Sequence, residues 1–109
     1  MPKGDALGGF EQLVLLALAH LGDDAYGVSI RQEIAARTGR DVNIGAVYAT
    51  LDRLETKGLT RSRTGEPTAL RGGRAKRYFE LTAEGARALE ESVRALESMT
   101  RGLNWGELG

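Results

Sequence analysis

The stretch NIGAVYATLDRLETKGLTRSRT, Asn43 to Thr64, decides the architecture of this chain. Ile44, Val47, Leu51 and Leu54 recur three and four residues apart, which places them along one face of a helix. Asn43 suits the N-cap, because its side-chain oxygen can accept from the first free backbone N–H groups. The spacing predicts a helix from about Ile44 to Lys57, closed by Gly58. The opposite face holds Gly45, Ala46, Ala49, Arg53 and Thr56. That face is small, polar and lightly charged, unlike the Glu/Lys-rich surface of an ordinary solvated helix. Beyond Gly58, the β-branched and arginine-rich run from Leu59 to Thr64 reads as a strand.

Toward the C-terminus, Glu66-Pro67 and Gly72-Gly73 break the chain, and Lys76 to Leu81 reads as the returning strand. Pro67 falls in the connection, where a missing N–H costs nothing. The expected product is a hairpin with a long, basic, glycine-bearing tip. Thr82 then caps a helix from about Ala83 to Arg101. In it Ala86, Leu89, Val93, Leu96, Thr100 and Leu103 follow the a/d spacing of a coiled-coil seam, with Glu90–Arg94 and Glu97–Arg101 as i, i+4 pairs on the outer side. The last residues, Gly102 to Gly109, form a glycine-rich tail expected to be frayed or loosely docked.

Toward the N-terminus, Tyr26, Ile30 and Ile34 mark a helix from about Ala25 to Thr38, ended by Gly39. Before it, Phe10, Leu13, Val14, Ala17, Leu18 and Leu21 make the buried stripe of a first helix, which Gly22-Asp23-Asp24 ends. Leu15, Leu16 and Ala19 add apolar surface on its other faces. The first helix is thus expected to have a second buried contact.

Composition narrows the class. At 109 residues, with 41% apolar and 28% charged residues, the chain fits one compact domain rather than a disordered one. It has no cysteine, which excludes disulfides and thiolate metal sites. No basic-plus-apolar leader is apparent, and the apolar run Leu13–Ala19 is too short to span a bilayer, so a cytoplasmic protein with no membrane contact is expected. Net charge is zero but unevenly spread. Residues 1–39 carry three Lys/Arg against five Asp/Glu, residues 40–77 nine against four, and residues 78–109 three against six. A local excess matters more for phosphate binding than the total does.

Catalytic readings find little support. His20 is the only histidine and sits in an apolar helix, where a structural or incidental role is the simpler account. No phosphate-loop or dinucleotide fingerprint occurs. Glu90 and Glu91 are adjacent on a helix and point apart, so they form no acid/base pair. No enzyme and no cofactor are expected.

The element order is helix, helix, helix, strand, strand, helix: a mainly α chain with a two-stranded β wing, the order of a winged helix-turn-helix. In that arrangement the second and third helices form the reading unit. A helix fits the major groove of DNA, and small side chains let its backbone approach the bases. Each residue also has a plainer reading. Gly45 and Ala46 can serve close helix packing, Arg53 can pair with surface neighbours, and Tyr48 can pack at the core rim instead of meeting a phosphate. Their shared location on the two elements a winged helix presents to DNA favours the functional reading.

Three segments in order carry a family resemblance. GAVYATLDRLETKGL (Gly45 to Leu59), GGRAKRYFELTAEG (Gly72 to Gly85) and LVLLALAHLGDDAYGVSIRQEI (Leu13 to Ile34) resemble the PadR family of transcriptional regulators. The resemblance spans about residues 10–101. It implies a homodimeric repressor acting on double-stranded DNA at a palindromic operator. Residues 1–82 would form the winged helix-turn-helix, and residues 83–109 the dimerisation helix and tail. Asn43, Gly45, Ala46, Tyr48, Ala49 and Arg53 would lie at or near the major groove. Arg71, Arg74, Lys76 and Arg77 would serve the backbone or minor groove. The first and last helices would supply the dimer contact, with Leu15, Leu16, Leu89, Val93 and Leu96 as candidates. Some short members of that family take planar hydrophobic drugs at the dimer interface through a tryptophan of the last helix. Trp105 here lies beyond the seam, which speaks against a drug site and leaves any small-molecule effector open. The competing reading is a winged-helix module that binds a protein partner; the basic middle segment argues for DNA.

Overall fold

A computed structural model describes residues 7–65 and 75–109. The order is α1 (Gly9–Leu21), a 3₁₀ turn (Gly22–Asp24), α2 (Gly27–Thr38), α3 (Ile44–Thr56), β1 (Thr60–Thr64), β2 (Arg77–Leu81), α4 (Ala83–Thr100) and α5 (Trp105–Leu108). This is the mainly helical winged helix that the periodicity predicts. The expected hairpin tip, with Arg71, Gly72, Gly73 and Arg74, lies outside the described residues.

Local chemistry sets the ends of the elements. The Asn43 side-chain oxygen accepts from Gly45 N at 2.6 Å and from Ala46 N at 3.3 Å, starting α3. Gly58 follows α3 with φ +78°, and Gly39 follows α2 with φ +73°. Both are left-handed positions that a Cβ would strain. Ser29 Oγ accepts from Tyr26 N at 2.9 Å and donates to Asp24 O at 2.6 Å, fastening the start of α2 to the preceding turn. Thr82 Oγ1 accepts from Gly85 N at 3.0 Å and donates to Gly58 O at 2.7 Å. One hydroxyl therefore starts α4 and ties it to the end of α3.

The strands pair antiparallel, with Thr60 opposite Leu81, Ser62 opposite Phe79 and Thr64 opposite Arg77. A third, very short rung completes the wing base. Phe79 N donates to Ala25 O at 2.8 Å, and Tyr26 bridges Tyr78. The turn before α2 thereby covers the outer edge of β2.

Val14, Leu15, Leu18, Ile30, Leu51, Leu54, Leu59, Phe79 and Leu89 form one core. Helix α1 runs through its middle and touches α2, α3, α4 and β2. The expected second buried contact of α1 is thus made within the chain, and the placing of Leu15 in a dimer contact is corrected. Leu15 is 0% exposed and enclosed by its own chain, so it offers nothing to a partner. Leu89 is also buried, at 7% exposed, and anchors α4 to the core. Leu16 and Val93 are half-buried. Past Val93, α4 leaves the body: Leu96 is 52% exposed and Met99 78%. The radius of gyration is 16.0 Å, against about 13 Å for a compact chain of this length. The glycine-rich tail holds a single helical turn, begun by Asn104, whose side chain accepts from Gly106 N at 3.1 Å. Trp105 on that turn is exposed. No described helix is long and apolar enough to cross a membrane.

Candidate nucleic-acid interface

Helix α3 buries Val47, Thr50, Leu51 and Leu54 and turns Gly45, Ala46, Tyr48, Ala49, Asp52, Arg53 and Thr56 outward. With Asn43, this brings all six candidate residues of the third helix to one exposed face. Asn43 has one use already, since its side-chain oxygen caps the helix. Tyr48 lies across α2, its ring and hydroxyl occupying the space where a Cβ of Gly27 would stand. Tyr48 thus packs, and its partner is the glycine of the Tyr26-Gly27 pair. Lacking a side chain, Gly27 lets α2 and α3 close on each other through that ring.

The basic residues divide into two groups. The first is neutralised by the chain itself. Arg77 Nη1 stands 3.5 Å from Asp52 and its Nη2 donates to Glu55 at 3.3 Å, while its guanidinium lies over the Phe79 ring at 4.9 Å. It fastens the wing to α3. Arg61 donates to Glu80 across the hairpin at 2.7 Å. Lys57 Nζ donates to Glu11 at 3.0 Å, and Arg53 Nε stands 4.0 Å from the same carboxylate oxygen. Arg53 Nη2 also donates to Thr50 Oγ1 at 3.1 Å.

The second group is held by rings instead of carboxylates. Lys76 Nζ sits 4.2 Å from the centre of Tyr26, and the Arg63 guanidinium 4.7 Å from that of Tyr78. The two tyrosines meet edge to face at 5.7 Å. A ring orients a cation without cancelling its charge. Among the described residues no carboxylate pairs with Lys76 or Arg63. Among the described residues of the wing, these two cations are therefore the ones whose charge no carboxylate cancels. Arg71 and Arg74 lie outside the described residues.

Sequence reasoning missed Arg63 and Glu11. Glu11 is 7% exposed. Burial pushes its carboxyl up, but the Gly8 N–H, the Lys57 ammonium and the Arg53 guanidinium outweigh this and hold it below the usual glutamate range. A signal was present. Glu11 stands three, four and seven residues before Val14, Leu15 and Leu18, all buried, so the charge lies on the apolar stripe itself. Arg63 carried only its place in the arginine-rich run, because only the paired strands bring it to Tyr78.

Comparison with known proteins places this geometry. The PadR-like family of transcriptional regulators matches residues 15–91. The chain is 37% identical over 91 residues to the transcriptional regulator Rv3488 of Mycobacterium tuberculosis, covering 83% of this chain and 80% of that one. Among solved structures, a PadR-like transcriptional regulator of Bacillus cereus superposes with a TM-score of 0.73 at 20% identity, covering 92% of both chains. A PadR-like transcription factor of Bacteroides fragilis gives 0.71 at 26% identity, over 84% of this chain and 82% of that one. Family and relatives alike are regulators rather than enzymes. With a small-faced third helix beside a basic wing, the chain belongs to the PadR-like family of DNA-binding winged-helix transcriptional regulators.

Proposed function

We propose that the chain acts in the cytoplasm as a homodimeric repressor, binding a palindromic operator in double-stranded DNA. The observation that carries this reading is the outer face of α3. Gly45, Ala46 and Ala49 are exposed there, with Tyr48 and Arg53 at the margins. A helix so bare can lie deep in a major groove. Arg53 reaches a base edge, and Asn43 stands at the entering end. Lys76 and Arg63 on the wing, with Arg71 and Arg74, meet phosphates or the adjacent minor groove, while Arg77 holds Asp52 and Glu55 away from them. Dimerisation uses residues 83–109: the apolar side chains of Leu96, Met99 and Leu103 are left open on α4 and just beyond it. Leu16 and Val93 line the groove beside them, at the junction of α1 and α4.

The test is binding of the wild-type chain to duplex DNA across a range of salt. One duplex is selected by the protein from a random pool and the other is its scrambled counterpart. A dimer making three or more phosphate contacts per subunit gives a log K against log salt slope of about −5 or steeper. The selected duplex is expected to bind at least ~10³-fold more tightly. A flat slope would overturn the reading in favour of a protein-binding module.

A further inference from the structure

We infer that Glu11, on α1, is a positioning residue that fixes Arg53 for base reading on α3, and so couples the first helix to operator choice. The inference rests on α3 being the DNA-reading helix. Glu11 has its own place secured: Gly8 N donates to Oε1 at 2.8 Å, so the carboxylate is pinned to the first turn of α1. Its other oxygen, Oε2, faces Lys57 Nζ at 3.0 Å and Arg53 Nε at 4.0 Å. Lys57 is the nearer cation and competes with Arg53 for that oxygen, while the Gly8 N–H alone fixes where the carboxylate stands.

Arg53 is then hydrogen-bonded at one of its three guanidinium nitrogens and drawn electrostatically at a second. Nε stands against Glu11, and Nη2 donates to Thr50 Oγ1 at 3.1 Å. Nη1 has no protein partner among the described residues, and the side chain is 58% exposed. A guanidinium is planar with five donors in a fixed fork. Restraint at one edge leaves the other edge aimed outward, in the form a bidentate guanine contact uses. An unrestrained arginine would lose its rotamer freedom on binding and would settle equally well on any phosphate.

The carboxylate therefore has two opposing effects on DNA. It lowers general affinity, because it occupies two cations. It raises discrimination, because it denies Arg53 the phosphate positions. A residue that merely stabilised the fold would not separate these effects.

The experiment compares wild type, Glu11→Gln, Arg53→Ala and the double variant on the selected and scrambled duplexes, each across a range of salt. Glutamine keeps an oxygen for Gly8 N but releases both cations. For Glu11→Gln the slope on the scrambled duplex should steepen by about one to two units per subunit as Lys57 and Arg53 turn to phosphates. Preference for the selected duplex should fall by roughly ten-fold. In the double variant the preference should match that of Arg53→Ala alone, since Glu11 acts through that side chain. Unchanged preference in Glu11→Gln overturns the inference, as does a loss that adds in full to that of Arg53→Ala. Lys57→Gln decides the matter independently if Glu11→Gln does not fold. It leaves the carboxylate to Arg53 alone, so preference should be kept, and its loss would count against the inference. A wild-type chain with no salt-dependent duplex binding would instead overturn the reading of α3, a separate result.

Discussion

A Cβ built on Gly85 would collide with the Leu59 carbonyl, and one built on Gly27 would collide with the Tyr48 ring. The two collisions differ in kind. Tyr48 is a side chain at the surface and can swing aside, whereas Leu59 is backbone at the start of the wing and is held on both sides. Its N–H donates to Leu54 O at 2.9 Å, and its carbonyl accepts from Thr82 N at 3.1 Å. Gly85→Ala is therefore expected to lower stability by about 2–3 kcal/mol or more, at the upper end of what an inserted methyl costs. Gly9 lies on α1 with no atom near its missing Cβ. Gly9→Ala should be neutral, or stabilising by up to about 1 kcal/mol, through the unfolded chain alone. Urea denaturation midpoints check both, and equal midpoints for the two variants would show that α4 does not depend on its close approach to Leu59.

The wing invites a comparison of neighbours. Lys76 and Arg77 are consecutive, yet one is held by a ring and the other by two carboxylates. Lys76→Ala should flatten the salt slope by about 0.9 unit per subunit, the loss of one phosphate contact. Arg77→Ala should leave the slope nearly unchanged while weakening binding to every duplex, because Asp52 and Glu55 would then face the phosphates alone. The same titration reads both, and a slope that flattens equally would mean that Arg77 abandons its carboxylates for DNA. Helix and strand identities were legible in the sequence, since each rests on a period of a few residues: the stripe from Ile44 to Leu54, the Asn43 cap, the Thr82 cap. The i, i+4 pair Glu90–Arg94 was legible too, but distant charge partners were not, because Glu11 meets Lys57 across 46 positions and Arg77 meets Glu55 across 22. No local period records such pairings. Leu15 was misplaced for a related reason. Leu15 lay off the stripe drawn through Phe10, Leu13 and Val14, and only a helix surrounded on several sides buries both.

For the whole molecule, α4 is the element that breaks compactness. Its first half belongs to the core through Leu89, and its second half stands in solvent with Leu96 and Met99 uncovered. Leu96→Glu should therefore leave the melting of the isolated subunit almost unchanged while converting dimers to monomers in sedimentation. Leu89→Glu should unfold the subunit, since an unpaired charge in that core costs several kcal/mol. A wild-type chain that sediments as a monomer at micromolar concentration would remove the dimer. The contact of Gly85 with Leu59 would have a mechanical consequence in the proposed dimer. From Gly85 to Thr100 the helix is about 22 Å long at 1.5 Å per residue. It is a lever whose fulcrum lies where the wing begins. A tilt of about 10° at the fulcrum moves the far end by roughly 4 Å, against a separation of about 34 Å between successive major grooves on one face of the duplex. In the proposed dimer the gauge of the two reading heads would thus be set at Gly58, Leu59, Thr82 and Gly85, away from both proposed contact surfaces.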